Sequence, residues 1–225
     1  MASYKIQGFH LRIKDIPKMF PIRIKRLRKH FFSFCWLNPN WWLELIYLLL
    51  DLLGIPEVYE TIIDLFKWKT RPLNTREIAL LTPIFGKNID YNRVRIDETA
   101  LLGPKQKQFC YVSFYTINSW GQMNDALLIH EMVHIWQFQQ MGSIYIPQAL
   151  AAQRSKEGYN YGGAPKIVAW ALKNGRLTDF NLEQQADIVA DYWRLKNDYP
   201  LQWGPAGVAD LPHYAFFVEQ IGVAT

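Results

Sequence analysis

The chain has 225 residues, of which 50% are hydrophobic and 15% aromatic, a composition that can build a sizeable core and excludes a disordered chain. Its two cysteines, Cys35 and Cys110, exclude a disulfide framework and point to a reducing compartment. The net charge of +5 is uneven: residues 1–36 hold nine Lys/Arg against Asp15, giving +8, and the remainder carries −3.

Residues 1–38 are basic, densest in Arg23-Ile24-Lys25-Arg26-Leu27-Arg28-Lys29. Pro17 and Pro21 predict that a long helix begins only after Pro21. Trp41 to Leu53 is strongly apolar but too short to span a bilayer, which needs about 20 apolar residues. Glu44 and Asp51, seven apart, share one face of that helix. Gly54-Ile55-Pro56 breaks it, with the proline suited to the first turn of the next helix. Over residues 57–69, Glu57, Glu60, Asp64 and Lys67 form a polar stripe and Val58, Ile62 and Leu65 an apolar one. This reads as a helical hairpin with a large apolar surface. That surface either packs on the following domain or, beside the basic cluster and Trp41-Trp42, docks on an anionic membrane surface or a protein partner. No nucleic-acid-binding motif is present, so nucleic acid is not an expected partner.

Arg71 to Asn74 reads as a linker, and Thr75 opens a short helix over 76–81. Phe85-Gly86-Lys87-Asn88 is turn chemistry. Tyr91 to Asp97 alternates as a strand does, with Val94 and Ile96 apolar and Arg93, Arg95 and Asp97 polar. A polar loop at 103–107 precedes a second strand, Phe109 to Ser119, rich in aromatic and β-branched residues. Asn124 caps a helix that runs to Met141 and stops at Gly142. Further helices are expected at 144–157, 164–174 and 181–196, and the Pro/Gly-bearing tail ends in an apolar piece, Tyr214 to Val218. The expected organisation is a basic segment with an apolar hairpin over 1–70, followed by one domain over 71–225.

The helix after Asn124 carries His130-Glu131-Met132-Val133-His134. Residues i and i+4 share a helical face, so two imidazoles can hold one Zn²⁺, and Glu131 can serve as general base toward a metal-bound water. A catalytic zinc needs a third protein ligand. Gln137 and Gln140 occupy the positions where one extended form of the motif would have Gly and His, so that form is excluded. Glu183, in Asn181-Leu182-Glu183-Gln184-Gln185-Ala186-Asp187, is the better candidate, because small Ala186 lets its helix come close. Asp187, one turn on, is placed to hold the free ring nitrogen of a ligand histidine, or to be the ligand itself. His213, Tyr159 and Tyr161 are candidates for stabilising an oxyanion.

His-Glu-Met-Val-His followed by Glu-Gln-Gln-Ala-Asp resembles a gluzincin-type zinc metallopeptidase. More closely, residues 72–195 are similar to small bacterial metallopeptidase-like domains found near or fused to toxin and contractile secretion components. Phe85 to Asp90, Val94 to Ile96, and the residues flanking the motif carry that likeness. The resemblance implies an α+β, zincin-like fold, with a small sheet packed on the motif helix and a second ligand-bearing helix. It implies that His130, His134 and Glu183 bind zinc and that Glu131 is the base. The strand before the motif helix would be the edge that pairs with substrate. The expected activity is zinc-dependent hydrolysis of a peptide or protein, the alternative being a catalytically silent zinc-binding module of a secretion or membrane-associated system. No apolar signal core follows Met1 to Lys5, so a cytoplasmic location, peripheral to a membrane, is expected.

Overall fold

A computed structural model describes residues 2–67, 69–100 and 110–223, without the side chains of 2–4, 7, 65 and 223. The expected loop at 103–107, the start of the second strand at Phe109 and the side chain of Leu65 therefore lie outside the described residues. The fold is α+β. Its helices are α1 (Ala2–Phe32), α2 (Pro39–Leu52), α3 (Ile55–Phe66), α4 (Thr75–Phe85), α5 (Asp125–Met141), α6 (Tyr145–Arg154), α7 (Gly163–Ala171), α8 (Leu182–Lys196) and α9 (Leu211–Val223). The strands are β1 (Arg71–Pro72), β2 (Arg95–Asp97), β3 (Cys110–Ser113) and β4 (Thr116–Ser119), in the order β1-β2-β4-β3. The β2–β4 pair is parallel, the others antiparallel.

Two compact units divide the chain. The first takes Met1–Leu73, Tyr91–Gly121 and Phe138–Pro147; the second takes Asn74–Asp90, Gln122–Gln137 and Gln148–Thr225. Residues 1–70 thus belong to the same unit as the sheet.

In the first unit, α1 is one helix that contains both Pro17 and Pro21, where the sequence predicts a start after Pro21. Each proline removes a backbone hydrogen bond. Ion pairs on either side hold the helix against α3: Arg12 with Glu60 and Asp64, and Arg23 with Glu57. These pairs also reverse the expected polarity of α3. Glu57, Glu60 and Asp64 are buried, whereas Val58 and Ile62 are 50% and 46% exposed. Asp51 of α2 is buried as well, and accepts bonds from the backbone N–H and hydroxyl of Ser143. That approach requires Gly142: at φ +75° a side chain would be strained, and a Cβ would lie 2.2 Å from the Asp51 carboxylate.

The sheet corrects three expectations. Arg71 and Pro72 form an edge strand on β2, not a linker. The strand read over 91–97 is confined to 95–97, because residues 91–94 turn, with the Val94 N–H donating to the Tyr91 carbonyl. Its polar residues face inward: Arg95 and Asp97 are buried, and Lys67 pairs with Asp97 at 2.5 Å. The strand read to Ser119 is a hairpin, turning at Phe114 and Tyr115 with Phe114 at φ +60°. That turn lacks the Asn or Gly which usually marks one. Tertiary contacts hold it instead: Glu60 accepts the Tyr115 N–H at 2.7 Å, Phe114 packs on Tyr59 and Phe138, and Arg93 lies over the Tyr115 ring.

In the second unit, Asn74 and Glu77 form a reciprocal cap that starts α4, which runs four residues past its expected end, through Pro83. The core gathers Leu81 and Phe85 of α4, Ile129 and Met132 of α5, Ile188 of α8 and Phe217 of α9, all essentially without exposure. Each such side chain contributes about 1.5–3 kcal/mol on burial.

Candidate metal centre

The α5 helix begins where Asn124 accepts the Leu127 N–H at 2.9 Å. Most of its apolar residues are buried, with Ile129, Met132, Val133 and Ile135 at 0% exposure. His130, Glu131, His134 and Gln137 are polar insertions into that buried helix, all at 8% exposure or less. Groups so buried need partners. The α8 helix supplies most of them. Asn181 caps it reciprocally with Gln184, and the Asn181 amide also donates to the Gly158 carbonyl at 2.9 Å. Glu183, Asp187 and Asp191 then recur at four-residue spacing, so they share one face.

The ring Nε2 atoms of His130 and His134 are 3.3 Å apart, and each is 3.4 Å from Glu183 Oε2. These three ligand atoms form a nearly equilateral triangle. Around a tetrahedral zinc with ligands at 2.0–2.1 Å, neighbouring ligand atoms stand about 3.3–3.4 Å apart. The donor set, two imidazoles and a carboxylate, is one that zinc takes with a fourth position left for water. The residues therefore fit the metal that the motif implies.

Each of the three side chains is also held from behind. His130 Nδ1 donates to Asp187 Oδ1 at 2.8 Å, and Trp203 Nε1 donates to Asp187 Oδ2 at 2.6 Å. His134 Nδ1 donates to Gln137 Oε1 at 2.8 Å, while the Gln137 amide donates to the Leu182 carbonyl and to Gln185 Oε1. Gln153 donates to Glu183 Oε1 at 2.9 Å. With both Nδ1 atoms donating, both Nε2 lone pairs face the triangle. Glu131 is buried, and its Oε2 has no hydrogen-bond partner among the described residues.

The electrostatics favour positive charge at the centre. Burial alone would lower the pKa of His130, but its bonds to Asp187 and Glu183 and the charge of Asp187 and Glu131 raise it to about 10. Burial likewise opposes the charged form of His134, and Glu183 reverses this, so its pKa is raised. Burial alone would raise Glu183, but His134 and His130 drive it well below the usual carboxylate range. Burial pushes Glu131 up, against the pull of both histidines. A dication at the triangle would replace the protons that these groups otherwise share.

Of the oxyanion candidates, Tyr159 stands at the centre, its ring 6.0 Å from that of His130. Partial burial and the nearby Glu183, Glu131 and Asp187 hold its phenol protonated. Tyr161 is fully buried, and its hydroxyl donates to Asp191 at 2.6 Å and contacts the Tyr214 hydroxyl. His213 lies on α9, and among the described residues no hydrogen bond or ring contact joins it to the triad. Sequence reasoning missed Gln137, Gln153, Gln185 and Trp203. The position of Gln137, three residues after His134 on one helical face, was a usable signal; nothing local marks Trp203. Replacing Gln137 by leucine should remove the amide oxygen that the His134 N–H bonds and weaken zinc affinity about 10–100-fold, as read by competition with a chromogenic chelator.

No family model matches the chain, and no solved structure matches it. The chain is similar to the type VI secretion system spike protein VgrG2b of Pseudomonas aeruginosa, with 32% identity over 143 residues. The match takes in 57% of this chain but 13% of that protein, so the chain spans a small part of its relative's length.

Proposed function

We propose that the chain is a zinc-dependent peptidase of zincin-like fold, with His130, His134 and Glu183 as ligands and Glu131 as general base. The observation that carries this reading is the triangle of two Nε2 atoms and one carboxylate oxygen, with edges of 3.3–3.4 Å, beside a buried Glu131 oxygen that has no hydrogen-bond partner among the described residues. Bound zinc supplies Lewis acidity, acidifying a water and polarising a carbonyl. Glu131 takes the proton of the attacking water and delivers a proton to the departing amine, a role suited to a carboxylate whose pKa is raised by burial. The phenol of Tyr159, kept protonated, donates to the oxyanion that develops on the scissile carbonyl. Asp187 and Gln137 fix the ligand rings. A peptide is the proposed substrate, and its relative's place in a type VI spike supports a role in association with a secretion system.

Two measurements test the reading together. Elemental analysis of the purified chain should give one zinc per chain, and His134→Ala should bring it near zero. Wild-type chain should cleave members of a diverse peptide library and stop when stripped of metal by a chelator, with activity restored by added zinc. Full zinc occupancy with no cleavage would overturn the peptidase and leave a silent zinc-binding module.

A further inference from the structure

The first three helices are built inside out. Acidic side chains of α2 and α3 lie within the unit: Asp51, Glu57, Glu60 and Asp64 are each at most 5% exposed, with Arg12 and Arg23 of α1 buried against those of α3. Many of the apolar residues point outward, although Trp41 and Leu48 of α2 are buried. Ile13 and Phe20 of α1, Trp42 and Ile46 of α2, and Val58 and Ile62 of α3 are 46% to 53% exposed. Beyond residue 66, the exposed large apolar side chains among the described residues are only Leu150, Tyr159, Leu172, Tyr199 and Val208.

Water favours the opposite arrangement. Burying an ion pair costs desolvation that its attraction barely offsets, and leaving large apolar side chains in water forgoes their transfer energy. In hydrocarbon the preference reverses, because any charges present must pair internally and apolar surface faces outward without cost. The surface charge narrows the occupant further. In residues 5–66, the exposed Lys, Arg, Asp and Glu side chains are all cationic: Lys14, Lys18, Lys25, Arg28 and Lys29. A second copy of this chain would bring those cations against one another, whereas an anionic headgroup layer complements them. Aromatic residues cluster where α1 turns into α2, Phe34 and Trp36 more than half exposed, with the Trp42 indole donating to the Trp36 carbonyl at 2.9 Å. Such amphipathic rings suit the level of the headgroups. No described helix is long and apolar enough to cross a membrane, which limits the segment to one leaflet.

We propose that residues 2–66 are a membrane-docking module, which sets its apolar exterior into one leaflet of an anionic lipid bilayer and keeps its ion pairs sealed between the helices. The test uses the full chain, since residues 1–70 share a unit with the sheet. Vesicles containing phosphatidylglycerol should pull the chain down, vesicles of phosphatidylcholine alone far less, and high salt should weaken the binding. Lipids brominated on their acyl chains should quench tryptophan fluorescence, and Trp36→Phe with Trp42→Phe should remove most of that quenching. Replacing Lys25, Arg28 and Lys29 together by glutamine should weaken binding about 100-fold. Phe20→Ser with Ile46→Ser should weaken it at least about tenfold. Circular dichroism should stay unchanged in all three variants, since each substituted side chain is exposed. Failure to bind, binding without quenching, binding by the charge or apolar variant as tight as that of the unsubstituted chain, or a stable oligomer that ignores vesicles would each overturn the proposal, the last in favour of a protein partner.

Discussion

Replacing Glu131 by glutamine is expected to leave one zinc per chain and to cut peptide hydrolysis by about 10²–10⁴-fold. The two side chains are nearly the same shape, so burial and packing on α5 change little. What is lost is basicity: an amide cannot accept the proton of the attacking water or hand one to the amine. The metal should stay, because Glu131 is not one of the three atoms of the triangle. The ratio of the two losses is the informative quantity, read from elemental analysis beside kcat/KM on a cleaved peptide. If zinc and activity fell together, Glu131 would be acting on the metal site and not on the water. If activity survived, another group would be the base.

The centre was legible in the sequence because its determinants are local. A five-residue motif places two rings one turn apart, Asn124 and Asn181 start the two helices, and the four-residue spacing from Glu183 to Asp187 survives in any α-helix. The polarity of the N-terminal helices was not legible. Periodicity tells which residues share a face, and Glu57, Glu60 and Asp64 do share one. It does not tell which face meets water, and here the arginines of α1, more than thirty residues away in sequence, draw the carboxylates inward. The same kind of distant contact let α1 pass through two prolines and let Phe114 and Tyr115 turn a hairpin with no turn residue. Local rules failed where partners far along the chain outweighed local propensity.

Glu183→Ala and Asp187→Asn separate the proposed ligand from the residue proposed to stand behind it. Glu183 offers Oε2 to both histidine nitrogens at 3.4 Å, whereas Asp187 meets His130 only at Nδ1, on the far side of the ring. Removing Glu183 leaves two imidazoles, too few for a stable zinc site, and zinc should fall to near zero after dialysis. It also leaves Gln153 without its acceptor. Asparagine at 187 can still accept one hydrogen bond from His130 or Trp203, but without charge, so the ring is held less firmly and the ligand is less basic. Zinc affinity should then drop about 10–100-fold with stoichiometry intact under excess metal. Titration with zinc against a competing chelator, run on both variants, reads the ranking directly. If Asp187→Asn lost zinc outright while Glu183→Ala kept it, the ring of His130 would have to turn over and Asp187 would be the third ligand.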